Sequence, residues 1–171
     1  MKSNSTTGKG DRRIVTFRLG KEIYGVDIFK VQEVIHNRQV VSIPNSPPFV
    51  EGIIQVRERI IPVVDLKKRL SINHDGRGEK KRILILELEE RALGVIVDDI
   101  SRVMSLDEEM IESLPESVID DRNTNCIKKL AKSRAGLIIV LSPEHILSTK
   151  ELEQLEEMDI SSKEDKDAAT A

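Results

Sequence analysis

Few side chains in this sequence have a type and spacing that could run a reaction. The three histidines, His36, His74 and His145, are far apart and form neither an H-x-x-x-H nor an H-E-x-x-H pair, the spacings that put two imidazoles on one helix face for a metal. They read as surface or hydrogen-bonded structural histidines, and no metal site is expected. Asp98-Asp99 would offer a carboxylate pair for acid–base work, but neighbours on a strand point to opposite faces, so a turn or a cap is expected there. Gly76-Arg77-Gly78 lacks the G-x-G-x-x-G spacing and the strand-to-helix setting of a phosphate cradle. Ser42, Ser46 and Ser142 have no G-x-S-x-G context, and Cys126 has no recognisable catalytic setting. No nucleophile, acid and base fall into one constellation, so the sequence argues against an enzyme and implies no cofactor.

The remaining candidates are charged. Arg57-Glu58-Arg59 with Lys67-Lys68-Arg69, and Lys80-Lys81-Arg82, are basic clusters of the kind that ordinarily form a solvated rim. A small β-barrel nucleic-acid binder using Arg57, Arg59 and the Lys67–Arg69 run is the reading from a different functional class. The overall balance opposes it: 27 basic residues against 30 acidic ones give a net charge of −3, so no global positive field gathers a polyanion. Aromatics are 2% of the chain with no Trp, which leaves few platforms for stacking bases. Arg57 stands out because it lies between two strongly apolar runs, Gly52 to Val56 and Arg59 to Val64. A tight turn there would display its guanidinium at a lobe edge, suited to a bidentate contact with a partner's carboxylate or backbone. Composition therefore favours protein partners and disfavours nucleic acid.

The elements that position these residues are mostly short strands. Ile14 to Leu19 alternates with Val15, Phe17 and Leu19 on one face, and Ile23 to Val26 returns antiparallel after Gly20-Lys21-Glu22. Asp27 is placed to cap a short helix whose Ile28, Val31, Val34 and Ile35 would share a face. Val40 to Ile43, Gly52 to Val56 and Arg59 to Val64 add strands, Pro62 marks an edge or a bulge, and Asp65 caps a helix over Leu66 to Leu70. The loop Ser71 to Glu79 is the best internal boundary. Beyond it the pattern returns: Tyr24-Gly25-Val26 with its following apolar positions is echoed 69 residues on by Leu93-Gly94-Val95, and Arg59 to Asp65 is echoed 77 residues on by Gly136 to Ser142. The expected fold is all-β with short helices: two five-stranded lobes at roughly 13–70 and 80–148 with intertwined ends, then an amphipathic helix at 149–158 carrying Leu152, Leu155 and Met158. Polar, apolar-poor ends at 1–12 and 159–171 read as a flexible arm and a disordered tail.

A chain of 171 residues, 39% hydrophobic and 33% charged, is long enough for such a core. No run approaches the ~18 apolar residues that span a bilayer, and Met1 to Arg13 has no apolar signal region. With one cysteine there is no internal disulfide, so a reducing, cytoplasmic location is expected.

Three blocks resemble the CheW family of bacterial chemotaxis coupling proteins. They are Tyr24-Gly25-Val26-Asp27-Ile28-Phe29-Lys30-Val31-Gln32-Glu33-Val34; the run from Ser46 through Gly52-Ile53-Ile54-Gln55-Val56-Arg57-Glu58-Arg59-Ile60-Ile61-Pro62-Val63-Val64-Asp65 to Leu66; and Leu93-Gly94-Val95-Ile96-Val97-Asp98-Asp99-Ile100-Ser101-Arg102-Val103. The resemblance extends from about Ile14 to about Met158. It implies two SH3-like five-stranded barrels related by a pseudo-twofold, and a non-enzymatic adaptor that couples methyl-accepting chemoreceptors to the regulatory domain of a CheA-type histidine kinase. It also implies a chain that is monomeric when isolated and reaches the membrane only through receptors in their arrays. A related reading is an adaptor for a chemosensory-like pathway of pili, biofilm or development. Carried over by position, the receptor-binding groove would contain Val31, Glu33, Val34, Gly52, Arg57 and Val103. The valines would form an apolar slot, Gly52 would permit close backbone approach, and Glu33 and Arg57 would set register. The chain departs from the family where N-L-R-G is usual and Gln55-Val56-Arg57-Glu58 stands. Glutamate at a positive φ costs about 1 kcal/mol or more, so a turn of another shape is expected.

Overall fold

The computed structural model describes residues 12–36, 39–72, 81–115 and 126–155. Strands dominate: β1 (Arg12–Leu19), β2 (Glu22–Asp27), β3 (Val31–His36), β4 (Val50–Val56), β5 (Arg59–Asp65), β6 (Arg82–Leu88), β7 (Arg91–Val97), β8 (Asp99–Leu106), β9 (Ile111–Ser113), β10 (Ile127–Ser133) and β11 (Gly136–Leu141). They form two sheets, one in the order β8-β1-β2-β11-β10-β9 and one in the order β3-β6-β7-β5-β4. The fold is therefore all-β with few helices, as expected, and the short β9 adds a sixth strand to one lobe.

Burial on both faces of the central strands explains why the sheets close and pair. In β6, Leu84, Leu86 and Leu88 face a core shared with the other lobe, while Ile83 and Ile85 face the interior of their own. In β1, Val15, Phe17 and Leu19 join the same shared core, and Ile14 faces the other lobe's interior with Leu106, Ala131 and Ile138. The edge strands β3 and β4 contribute Ile35 and Ile54 to one buried cluster, so the second sheet curls on itself.

The two lobes repeat each other closely. Val63 pairs with Gly94 in the parallel ladder of β5 and β7, and Val140 pairs with Gly25 in that of β11 and β2. Val31↔Leu86 and Glu33↔Ile85 leave Gln32 as an extra residue, and Phe17↔Ile100 and Thr16↔Arg102 leave Ser101 as its counterpart. The strand after each hairpin leaves it: β3 follows β2 but pairs with β6, and β8 follows β7 but pairs with β1. The lobes in space thus cut across the stretches 13–70 and 80–148. One is built from β3 to β7, the other from β1, β2 and β8 to β11.

Three local expectations need correction. Asp27 does cap a helical turn, its Oδ1 accepting from Phe29 N at 2.9 Å, but the 3-10 turn stops at Lys30 and Val31 begins β3. The bulge at Gln32 sets Val31 and Val34 on one face at a spacing of three, which imitates a helix. Val40 to Ile43 is reduced to one bridge, Val41 to Ile53. Pro62 sits in an internal strand but one residue before the ladder to β7 begins at Val63, where a missing amide costs no sheet bond. Asp65 caps α1 (Leu66–Arg69) as anticipated, accepting from Lys67 and Lys68 N. The boundary loop is described only at Ser71 and Ile72, and the arm and tail lie outside the described residues except Arg12.

A second helix, α2, covers 149–155, and the expected 156–158 lie outside the described residues. Ser148 and Glu151 form a capping box, Ser148 N donating to Glu151 Oε1 at 2.7 Å and Glu151 N to Ser148 Oγ at 3.1 Å. Leu155 is buried in the shared core with Leu152 against it.

Candidate functional site

The exchanged strands β3 and β8 frame the candidate site. Val31 and Val34 of β3 and Ile100 of β8 are partly buried and pack against the shared core from the two lobes. Val103, which stands on β8 where Val34 stands on β3, is 53% exposed. Glu33 is half-buried. Four of the six residues expected in the groove therefore come from two equivalent strands flanking one apolar core. Ile100 and Arg102 were legible as members of this set through the 69-residue echo, since they stand where Val31 and Glu33 do.

One buried hydroxyl anchors this wall. Thr16, 1% exposed, accepts from Arg102 N at 3.1 Å and donates to Arg102 O at 2.8 Å, satisfying both main-chain groups beside the bulge. Thr16→Val keeps the side-chain shape but leaves both groups unpaired. The expected result is a loss of about 1–3 kcal/mol, read as a lower urea midpoint at unchanged slope.

Gly52 and Arg57 stand elsewhere, on β4 and its turn. Gly52 is buried at φ +149°, and a Cβ built on it would lie 1.9 Å from the carbonyl oxygen of Val41. The close approach it permits is therefore to the chain's own Val41 segment. Val56↔Arg59 pairing makes Arg57-Glu58 a two-residue turn. The positive φ falls on Arg57, at 58°, and not on Glu58. The first central position of such a turn favours glycine, so arginine there carries strain of about 1 kcal/mol. Arg57 is exposed, and among the described residues no side chain pairs with its guanidinium. Arg59 pairs with Glu87 at 3.5 Å.

The Lys67–Arg69 run is not a surface patch. Lys67 is buried with Nζ 2.7 Å from Asp98 Oδ2, and Asp98 also accepts from Gly20 N at 2.8 Å. Arg69 is buried, donating to Ile146 O at 2.7 Å and Glu151 at 3.1 Å, with its guanidinium carbon 4.9 Å from the Phe49 ring centroid. Lys68 alone is exposed, paired with Glu51, whose hydrogen bond raises its pKa. The clustering in sequence gave no hint that carboxylates from 98 and 151 would arrive from elsewhere. These contacts remove most of the charge on which a nucleic-acid reading depended.

The candidate reactive groups do not converge. Asp98 holds Lys67, while Asp99 Oδ1 accepts from its neighbour Ile100 N. Cys126 is buried and burial pushes its thiol up to about 11, so it is protonated at neutral pH and a poor nucleophile. His36 is exposed, His145 lies 3.0 Å from Ser142 Oγ through Nδ1, and His74 lies outside the described residues. Among the described residues no three potential metal ligands cluster.

Comparisons with known proteins agree with this geometry. A family model described as a CheW-like domain matches residues 13–151. A chemotaxis protein CheW of Treponema pallidum is 35% identical over 147 residues, covering 84% of this chain and 86% of that protein. A chemotaxis protein CheW of Klebsiella aerogenes is 32% identical over 141 residues, covering 82% and 84%. Among solved structures, the scaffolding protein TtCheW from Thermoanaerobacter tengcongensis is similar with a TM-score of 0.72 and 40% identity, over 77% of this chain and 89% of that one.

Proposed function

This chain belongs to the CheW-like family, and we propose that it couples chemoreceptor tips to the regulatory domain of a CheA-type kinase through two separate faces. It is a chemotaxis adaptor: its chemistry is recognition, and it links two partners without reacting with either. The observation that carries the receptor side is the pair of exchanged strands, whose Val31, Val34 and Ile100 pack against the shared core with Val103 exposed beside them, while two of their neighbours are charged. A ridge of apolar side chains on a receptor helix would cover those positions, and Arg57, held in strain on an exposed turn, would grip a carboxylate or carbonyl at the margin. Strain retained at an exposed arginine supports a role in recognition because a glycine there would relieve it.

No helix among the described residues is long and apolar enough to cross a membrane. On this reading the protein works in the cytoplasm and reaches receptor arrays through its partners. Receptor state would change kinase output through unequal contacts at the two faces.

The test is a pull-down of the full chain against a receptor signalling-tip fragment and, separately, against the kinase regulatory domain. Arg57→Ala is expected to weaken receptor capture at least tenfold without lowering the melting temperature. Arg57→Gly should lose capture as well while melting at the same temperature or higher, since φ 58° suits glycine. Undiminished capture by both variants would remove Arg57 from the site, and no capture of either partner by the native chain would refute the adaptor reading.

A further inference from the structure

The duplicated register poses a recognition problem. The two walls of the proposed groove carry nearly the same apolar pattern, Val31 and Val34 on β3 against Ile100 and Val103 on β8, around equivalent bulges. A helix seated on such walls would meet similar surfaces in either of two opposed orientations. Signalling through a second face needs one orientation, so something must break the symmetry.

The equivalent positions differ in charge at two places. Lys30 and Asp99 are one opposed pair, but both act within the chain: Lys30 Nζ is 2.8 Å from Glu144 Oε1, and Asp99 Oδ1 receives Ile100 N at 2.9 Å. Glu33 and Arg102 are the other, and among the described residues no ion pair joins either side chain to the protein. β3 and β8 are the end strands of their sheets, so a helix lying along them meets side chains of both strand faces, the exposed Arg102 as well as the exposed Val103. Its peptide is held on both sides by the buried Thr16 hydroxyl, at 2.8 and 3.1 Å, whereas the position equivalent to Thr16 is the apolar Ile85 facing Glu33. The β8 wall thus fixes the main chain from which Arg102 projects.

Resting on the receptor-groove reading, we infer that Arg102 is a specificity-determining contact, and that Arg102 and Glu33, opposite charges at equivalent positions, set which way round the receptor helix lies. The helix that fits carries an apolar ridge with a carboxylate on the β8 side and a basic group on the β3 side. Like charges in the reversed orientation would face each other and reject it.

The test measures binding of a receptor signalling-tip fragment to the full chain, with binding of the kinase regulatory domain and the melting temperature as controls for fold. Arg102→Glu is expected to weaken receptor binding at least tenfold and Arg102→Lys by less, with both controls unchanged. The double exchange of Glu33→Arg with Arg102→Glu keeps the net charge but reverses the polarity, and should regain affinity to within about threefold of the native chain with the helix reversed, read as exchanged cross-links from one end of the fragment to β3 and β8. Recovery with the helix in its native orientation would mean the two charges pair with each other or act only through net charge, and a double variant as weak as Arg102→Glu would mean that polarity does not set the orientation; either overturns the role. Val103→Asp separates the two levels of the argument. If it abolishes receptor binding while Arg102→Glu binds within twofold of the native chain, the groove stands and the role of Arg102 falls. If neither variant affects receptor binding, the groove itself is misplaced and the inference falls with it.

Discussion

Gly52→Ala is expected to cost about 3–5 kcal/mol and to leave little folded protein at ordinary temperatures, an effect out of proportion to one methyl group. Two separate causes add. An L side chain at φ +149° is strained wherever it stands, and here the new Cβ would lie 1.9 Å from the Val41 carbonyl oxygen and 2.6 Å from its carbon. Those are main-chain atoms of a segment bonded on both sides to Ile53, Val41 N to Ile53 O at 2.8 Å and Ile53 N to Val41 O at 2.9 Å. The segment has to lift away and give up both bonds. Gly136→Ala provides the measure of the first cause alone, since Gly136 has φ +120° but nothing within 4 Å of its new Cβ. Urea unfolding of the two variants should therefore separate by the cost of the collision, with Gly136→Ala losing about 1–2 kcal/mol. Equal losses would mean that the Val41 segment is not seated on β4.

Lys67→Ala should be almost as damaging, at about 3 kcal/mol, whereas the adjacent Lys68→Ala should cost less than about 1. The lysines differ in what surrounds them. Lys67, with a side chain 5% exposed, neutralises an Asp98 carboxylate that is itself 15% exposed and tied to Gly20 N. Removing the ammonium strands that carboxylate out of water with one donor left. Lys68 pairs with Glu51 in solvent, where the loss of either partner is made good by water. Lys67→Met combined with Asp98→Asn should recover at least half of the lost stability, because the amide oxygen can still receive Gly20 N and no charge remains to be solvated. Chemical denaturation of the three variants checks the order. A loss for Lys67→Ala no larger than that for Lys68→Ala would return Lys67 to the surface.

These two sites mark where the sequence could be read and where it could not. Strand alternation located β1, β2, β4 and β5, and the Asp65 cap was legible because a carboxylate before a helical run has a local job. β3 was misread for a local reason as well: one inserted residue, Gln32, shifts the alternation to a spacing of three. The exchange of β3 and β8 was out of reach, since alternation says that a strand has a buried face but not which sheet supplies the neighbour. Lys67 and Arg69 failed in the same way, looking like a basic patch until Asp98 and Glu151 arrive from 31 and 82 residues away. The turn before β5 does avoid a positive φ at Glu58, as the glutamate there led us to expect, but nothing local in the sequence marks Arg57, one residue earlier, as the residue that takes it. Gly52 was marked by resemblance alone, and only the Val41 carbonyl over it gives the physical reason.

The division of strands between lobes also bears on biosynthesis. β3 to β7 lie together between Val31 and Val97, so one barrel has all its strands once that stretch has left the ribosome. The hairpin of β1 and β2 is made first, yet its sheet neighbours β8 and β11 are made after residue 98. Until then Val15, Phe17 and Leu19 have only the growing second barrel to cover them. The lobe that holds this hairpin is therefore the last to close, through pairings of high contact order, and the nascent hairpin has to remain unpaired at both edges until β8 and β11 emerge.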